Sequence, residues 1–123
     1  MDYKLDYTDK GEYTHFVVEG KDSLETTRAF WTEVYNISKR KGYFRVLVEE
    51  HLEGQLTPAE MFEVCQELPE LMRGIPLRIA HVDVVSEHLV DNELGETVAH
   101  NRGMEVKVFD NLDNALDWLL ERA

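Results

Sequence analysis

GMEVKVFDNLDNALDWLL, residues 103–120, is the stretch on which the reading of this chain turns. Met104, Val106 and Val108 alternate with Glu105 and Lys107 at the two-residue period of a strand. Leu112, Ala115, Leu116 and Leu119 then recur at the period of a helix. Asp110 and Asn111 lie between the two patterns and supply a cap, so a short strand passes directly into an amphipathic helix. The same unit recurs three times upstream, and such alternation predicts a layered α/β domain.

Immediately before this stretch, residues 77–84 (LRIAHVDV) read as a strand. Ser86 is the expected cap of a helix bearing Leu89, Val90, Leu94 and Val98, which closes at Arg102-Gly103. Further back, Thr57-Pro58-Ala59-Glu60 carries three start signals: a hydroxyl at the cap, proline in the first turn and glutamate at the third position. The apolar face of that helix is Met61, Val64, Cys65 and Leu68. Pro69 lacks an amide proton and crowds the preceding turn, so it is expected to interrupt or kink the helix. Residues 43–48 (YFRVLV) read as the preceding strand, with residues 49–56 (EEHLEGQL) as the loop that leaves it. Asp22, with Glu25 reaching back, starts the first helix, whose wide stripe is Leu24, Phe30, Trp31, Val34 and Ile37. It ends at Lys39-Arg40-Lys41-Gly42, where cations complement the helix dipole and glycine takes a left-handed cap. Residues 3–7 and 13–19 flank Asp9-Lys10-Gly11 and predict an antiparallel hairpin. The expected order is ββαβαβαβα: a mixed five-stranded sheet, N-terminal hairpin then parallel strands, covered by four helices in a single domain over residues 1–123.

A chain of 123 residues with 43% hydrophobic content is long enough for a substantial core. The formal net charge of -12 works against non-specific attraction to nucleic acid or anionic lipid. The opening MDYKLDYTDK is acidic and lacks an apolar run, and nowhere does an uncharged apolar run approach the ~20 residues of a membrane span. A cytoplasmic protein is expected. Cys65 is the single cysteine, excludes an internal disulfide, and reads as a buried, unreactive thiol.

The element order, the strand-loop-helix from Val46 to Glu63, and the ending Val106-Lys107-Val108-Phe109 with Ala115 and Trp118-Leu119 resemble the STAS-like domains. The resemblance covers essentially the whole chain and is closer to their SpoIIAA-like branch of small bacterial cytosolic proteins. It implies a binding or regulatory module similar to the anti-sigma-factor antagonists. In those proteins a phosphorylatable serine, in an Asp-Ser-Ser/Thr-Gly pattern, opens the helix after the third strand. Here Gly54-Gln55-Leu56-Thr57-Pro58 occupies that place, so the resemblance makes Thr57 the phosphoacceptor candidate, without the flanking Asp and Gly. The branch has also been associated with lipid-transfer-like folds, which implies an apolar ligand.

The residues themselves offer several candidate sites beside plainer readings. Thr57 stands at a helix N-terminus, which favours an anion, yet its hydroxyl is equally explained as a cap. Glu49, Glu50, His51 and Glu53 leave one strand, and His81 and Asp83 approach the end of the next. Ligands of open α/β sheets favour that edge, so His51, His81 and Asp83 are expected to converge there as ligand-binding candidates; the alternative is a polar strand end with a hydrogen-bonded histidine. His88 and Asp91 sit three apart, a spacing that suits either a metal or a solvated acidic face. Met61, Phe62 and Met72, with Val64, Leu68 and Leu71, form either a soft groove for an apolar ligand or plain core. Trp31 and Tyr35 widen the first helix's stripe and are the interface candidates for a protein partner or a homodimer. No nucleophile motif, phosphate loop or metal-spaced cluster stands out, so no catalytic residue, cofactor or metal is expected. The reading is a non-catalytic binding or regulatory module, with a small apolar ligand or lipid-binding carrier as the alternative and an enzyme of unassigned chemistry third.

Overall fold

Side chains along a strand alternate between the two faces of a sheet, and here the two faces are covered very differently. The computed structural model describes residues 3–42, 44–83 and 88–121, with the side chains of Leu89, Val90, Asp91 and Ala99 outside the description. The elements are β1 (Tyr3–Asp9), β2 (Thr14–Lys21), α1 (Leu24–Lys41), β3 (Arg45–Glu53), α2 (Pro58–Leu71), β4 (Arg78–Asp83), α3 (Leu89–Asn101), β5 (Glu105–Phe109) and α4 (Leu112–Leu119). They form a five-stranded sheet in sequential order, antiparallel between β1 and β2 and parallel across the rest. This is the mixed α/β architecture expected from the periodicities.

On the inner face, Phe16 and Val18 of β2, Val46, Val48 and Leu52 of β3 and Ile79 of β4 pack against Phe30, Trp31 and Val34 of α1. On the outer face, Leu47, Ala80 and Val82 pack against Ala115 and Leu119 of α4. Each fully buried Phe or Leu contributes roughly 1.5–3 kcal/mol relative to exposure. The inner face is closed by α1, α2 and α3, whereas α4 has eight residues to cover the other. Among the described residues no helix is long and apolar enough to cross a membrane.

Local departures from the sequence reading have physical causes. The first helix is capped by Ser23, whose Oγ accepts from the Thr26 amide at 3.0 Å, one residue after the expected Asp22. The Asp22 amide instead donates to the Glu53 carbonyl at 2.6 Å, and its carboxylate accepts from Thr27 Oγ1 at 3.0 Å, so Asp22 is tied to the end of β3. Residues expected as a loop, Glu49 to Glu53, belong to β3 because each pairs with β2, from Val17 opposite Glu49 to Lys21 opposite Glu53. Pro69 does not break α2, which runs on to Leu71; in the last turn its missing N–H deprives the helix of a single bond. Gly42 at φ 76° closes α1, donating its amide to Ser38 O at 2.9 Å. The expected Ser86 cap and the strand start at Tyr43 lie outside the described residues.

The width of the α1 stripe is used within the chain. Phe30 and Val34 are fully buried, Trp31 is buried, and Tyr35 and Ile37 pack partly buried on the same core. α1 touches the sheet on one flank and α2 on the other, where Arg28 donates to Glu63 at 2.8 Å and to both Glu67 oxygens at 2.7 Å. Trp31 therefore has little surface to offer a second copy.

Candidate functional site

In a parallel pair, directly opposed residues face the same way, and the β3–β4 register sets Glu50 opposite Asp83 and Val48 opposite His81. Glu50 shares its phase with the inward Val46, Val48 and Leu52, so a carboxylate is carried into the covered face. His81 Nε2 lies 3.2 Å from Glu50 Oε1, and its ring stands edge-on to Trp31 at 5.7 Å between centroids. His88, just before α3, is 4% exposed; its Nδ1 lies 2.9 Å from Asp83 Oδ2 and 3.9 Å from Glu50 Oε2. Its other nitrogen, Nε2, contacts the Gly54 carbonyl. One turn into α3, Asn92 Nδ2 donates to Asp83 Oδ2 at 2.9 Å.

Buried charge is expensive unless compensated, and this cluster compensates by retaining protons. Burial pushes the Glu50 carboxyl above the ordinary glutamate range; attraction to His81 opposes the shift, and a hydrogen bond with Asp83 adds to it. Burial works against charge on His81, but the Glu50 carboxylate outweighs it and holds the imidazole's proton above the usual histidine range. For His88 burial again opposes the charge, and the Gly54 carbonyl together with Asp83 and Glu50 prevails, so it too is raised. Asp22 is raised chiefly by burial, in spite of its bond from Thr27 and the attraction of His88.

Beside this cluster lies a cavity of about 90 Å³ between the inner face and α2 and α3. Trp31, Met61, Val64, Leu68 and Val106 form apolar wall, and Glu50, His81 and His88 form one polar end. Cys65 also borders it, with its thiol pushed up by burial against a smaller pull from Arg102, which makes it a poor nucleophile. Gly95 lets α3 approach α2 closely: a Cβ there would meet Cys65 Sγ at 3.2 Å.

The structure sorts the candidates of the sequence. His81 and Asp83 do come together, but His51 does not join them. It falls on the outer face in the alternation of β3, exposed, with Nε2 on Glu49 Oε2. Its place is taken by Glu50 and by His88, which is buried and not part of a solvated acidic face. The Asp91 side chain lies outside the description. Met61, Phe62 and Met72 part company: Met61 borders the cavity, Phe62 is 51% exposed, and Met72 belongs to the main core. Thr57 completes a reciprocal capping box, Oγ1 accepting from the Glu60 amide at 3.2 Å while Glu60 Oε1 accepts from the Thr57 amide at 3.0 Å. Glu50 would be found by extending the inward phase of Val46 and Val48 two residues further, past the end of the expected strand; His88 carried no comparable signal. Glu50, Asp83 and His88 each offer one metal-ligating atom, all within 4.8 Å of one another.

No protein-family model matches the chain, and neither does any curated protein.

Proposed function

We propose that this chain is a cytosolic, non-catalytic binding module of STAS-like layout that recognises a small molecule with an apolar body and a hydrogen-bonding head. The observation that carries this reading is the largely apolar cavity that also borders Glu50, His81 and His88. Ligand sites combine an apolar lining with a few convergent polar groups, and perturbed ionisation concentrates at such places. At about 90 Å³ the cavity is well below the roughly 300–1,000 Å³ of drug-sized pockets, so the ligand is small. A carrier of long acyl chains is the weaker alternative, because α2 and α3 would have to part to admit one. Occupancy braces α2 against α3, which gives a regulatory module something to report to a partner.

Thermal melts with phenol, indole and short-chain alcohols test the reading. A binder at one hundred times its Kd stabilises by about 2.7 kcal/mol and raises the melting temperature. Val64→Phe, which fills the cavity from α2, is expected to abolish the rise. A flat response across the panel, in a chain whose Val64→Phe variant melts no differently with or without ligand, refutes the reading.

A further inference from the structure

The geometry points to a site for a divalent first-row transition ion, of which Zn2+ is the representative, ligated by Glu50, Asp83 and His88. This goes beyond the small-molecule reading and does not rest on it. The Gly54 carbonyl has only lone pairs to offer, so the ring nitrogen facing it, His88 Nε2, must be the donor. In the neutral imidazole that leaves Nδ1 as an acceptor, and it faces Asp83 Oδ2 at 2.9 Å and Glu50 Oε2 at 3.9 Å. Either a proton on Nδ1 or a metal ion can stand among these three groups, and ligation of the ion displaces that proton. With ligand bonds of about 2.0–2.2 Å, donors around a tetrahedral zinc lie roughly 3.4 Å apart, and the separations of 2.9 Å and 3.9 Å bracket that spacing.

The surroundings are those a metal requires. A ligating histidine is oriented by donating its other N–H to a carbonyl, as His88 does to Gly54, and ligating carboxylates are themselves hydrogen-bonded. Here Asn92 donates to Asp83, and His81 contacts Glu50. Two carboxylates neutralise a dication where all three ligands are buried. One imidazole among oxygen ligands favours a transition ion over Mg2+ or Ca2+. Three protein ligands leave a coordination position open, and the adjoining cavity lies where water or a small donor would fill it.

The test uses the intact chain, freed of metal by a chelator that is then removed, and Zn2+ alone as probe. Titration calorimetry is expected to give one Zn2+ per chain, and X-ray absorption of the zinc-loaded protein one imidazole with oxygen neighbours. Asp83→Asn and His88→Gln, each close to isosteric, should weaken binding at least tenfold, while His15→Ala and His51→Ala leave it unchanged. Those last two probe the rival group on the outer face, where both histidines contact Glu49. The proposal is overturned by absence of binding, by an absorption spectrum showing two imidazoles, or by binding that His51→Ala removes. The spectroscopic measurement decides the matter on the unmodified chain should either inner variant fail to fold. Zinc binding without any phenol or indole response, or the reverse, separates this site from the small-molecule reading.

Discussion

Glu49 and Glu50 are neighbours in β3 and each contacts histidine, but they stand on opposite faces and their acidities move in opposite directions. Glu49 faces outward, part-exposed, accepting from His51 and from His15 at 3.0 Å. Burial is the largest single influence on its carboxyl and raises it, but the bonds from His51 and His15 and their attraction together outweigh it, so it ends below the ordinary range. Glu50 faces inward, buried beneath three helices, and ends above it. Residue type and partner are the same; helix cover differs. Two-residue alternation decides which carboxylate is solvated, and the unequal helix layers decide what solvation is worth.

The contrast is broken most directly by removing one histidine from each face. His88→Ala strips Asp83 Oδ2 of the buried ring nitrogen 2.9 Å away, and is expected to destabilise by about 3 kcal/mol. His51→Ala removes an exposed contact and should stay within about 0.5 kcal/mol. Urea denaturation of both measures the gap. Equal losses would show that the outer group is as consequential as the inner one.

A second test is the sign of the pH dependence, measured with chelator present. Glu50, His81 and His88 are all raised, so the folded inner face binds more protons than the unfolded chain. Its contribution is fully present below the unfolded carboxyl value of 4.5 and falls as pH rises through the folded values, past the ordinary histidine value of 6.5. Glu49 is lowered, so its contribution is present above 4.5 and is lost as pH falls through its folded value. Relative to the parent chain, Glu50→Gln should therefore gain stability as pH climbs from about 5 to 8, and Glu49→Gln should be less sensitive to acid. Urea midpoints against pH check this, and parallel curves for the two variants would remove the distinction between the faces.

How far these faces were legible in the sequence follows from the range of the interactions that make them. The strands and helices were visible because burial on one side imprints a period, as in Met104, Val106 and Val108 or Leu112, Ala115 and Leu119. The caps at Thr57 and Asn111 were visible because a cap bonds three residues away. The run Glu49 to Glu53 was misread as loop because its charge density hides the alternation that β2 pairing enforces. His51 was placed in the site for the same reason: without a strand through residue 53 its face is undefined. The place of His88 was not legible, because it depends on how α3 settles against β4; the apolar side of the cavity was in part, since Met61, Val64 and Leu68 read as either groove or core.

A third prediction concerns the support beneath the inner face. Thr57→Ala removes one half of the capping box that starts α2 and should cost about 1 kcal/mol. Asn111→Ala removes the equivalent oxygen at the start of α4, where Asn111 Oδ1 accepts from the Asn114 amide at 2.9 Å. The two losses should be alike, since capping acts at the helix end and is indifferent to which face is covered. A Thr57 loss several times larger, read by urea denaturation, would show that α2 is held chiefly by its cap.

The smallest effect is the most informative about packing next to the cavity. Gly95 sits inside α3, where alanine is favoured over glycine by about 1 kcal/mol. Its new methyl would meet Cys65 Sγ at 3.2 Å, tighter than ordinary contact, with Met61 Sδ at 3.9 Å. Both sulfur-bearing side chains border the cavity and have space to yield. The propensity gain and the crowding should nearly cancel, leaving Gly95→Ala within about 0.5 kcal/mol of the parent. Cys65→Ala relieves the crowding, so in that background the same substitution should stabilise by close to the full ~1 kcal/mol, a coupling that a double-mutant cycle isolates. A Gly95→Ala loss above ~1 kcal/mol, persisting in the Cys65→Ala background, would mean that the wall between α2 and α3 is rigid and that the cavity has no room to adjust to a ligand.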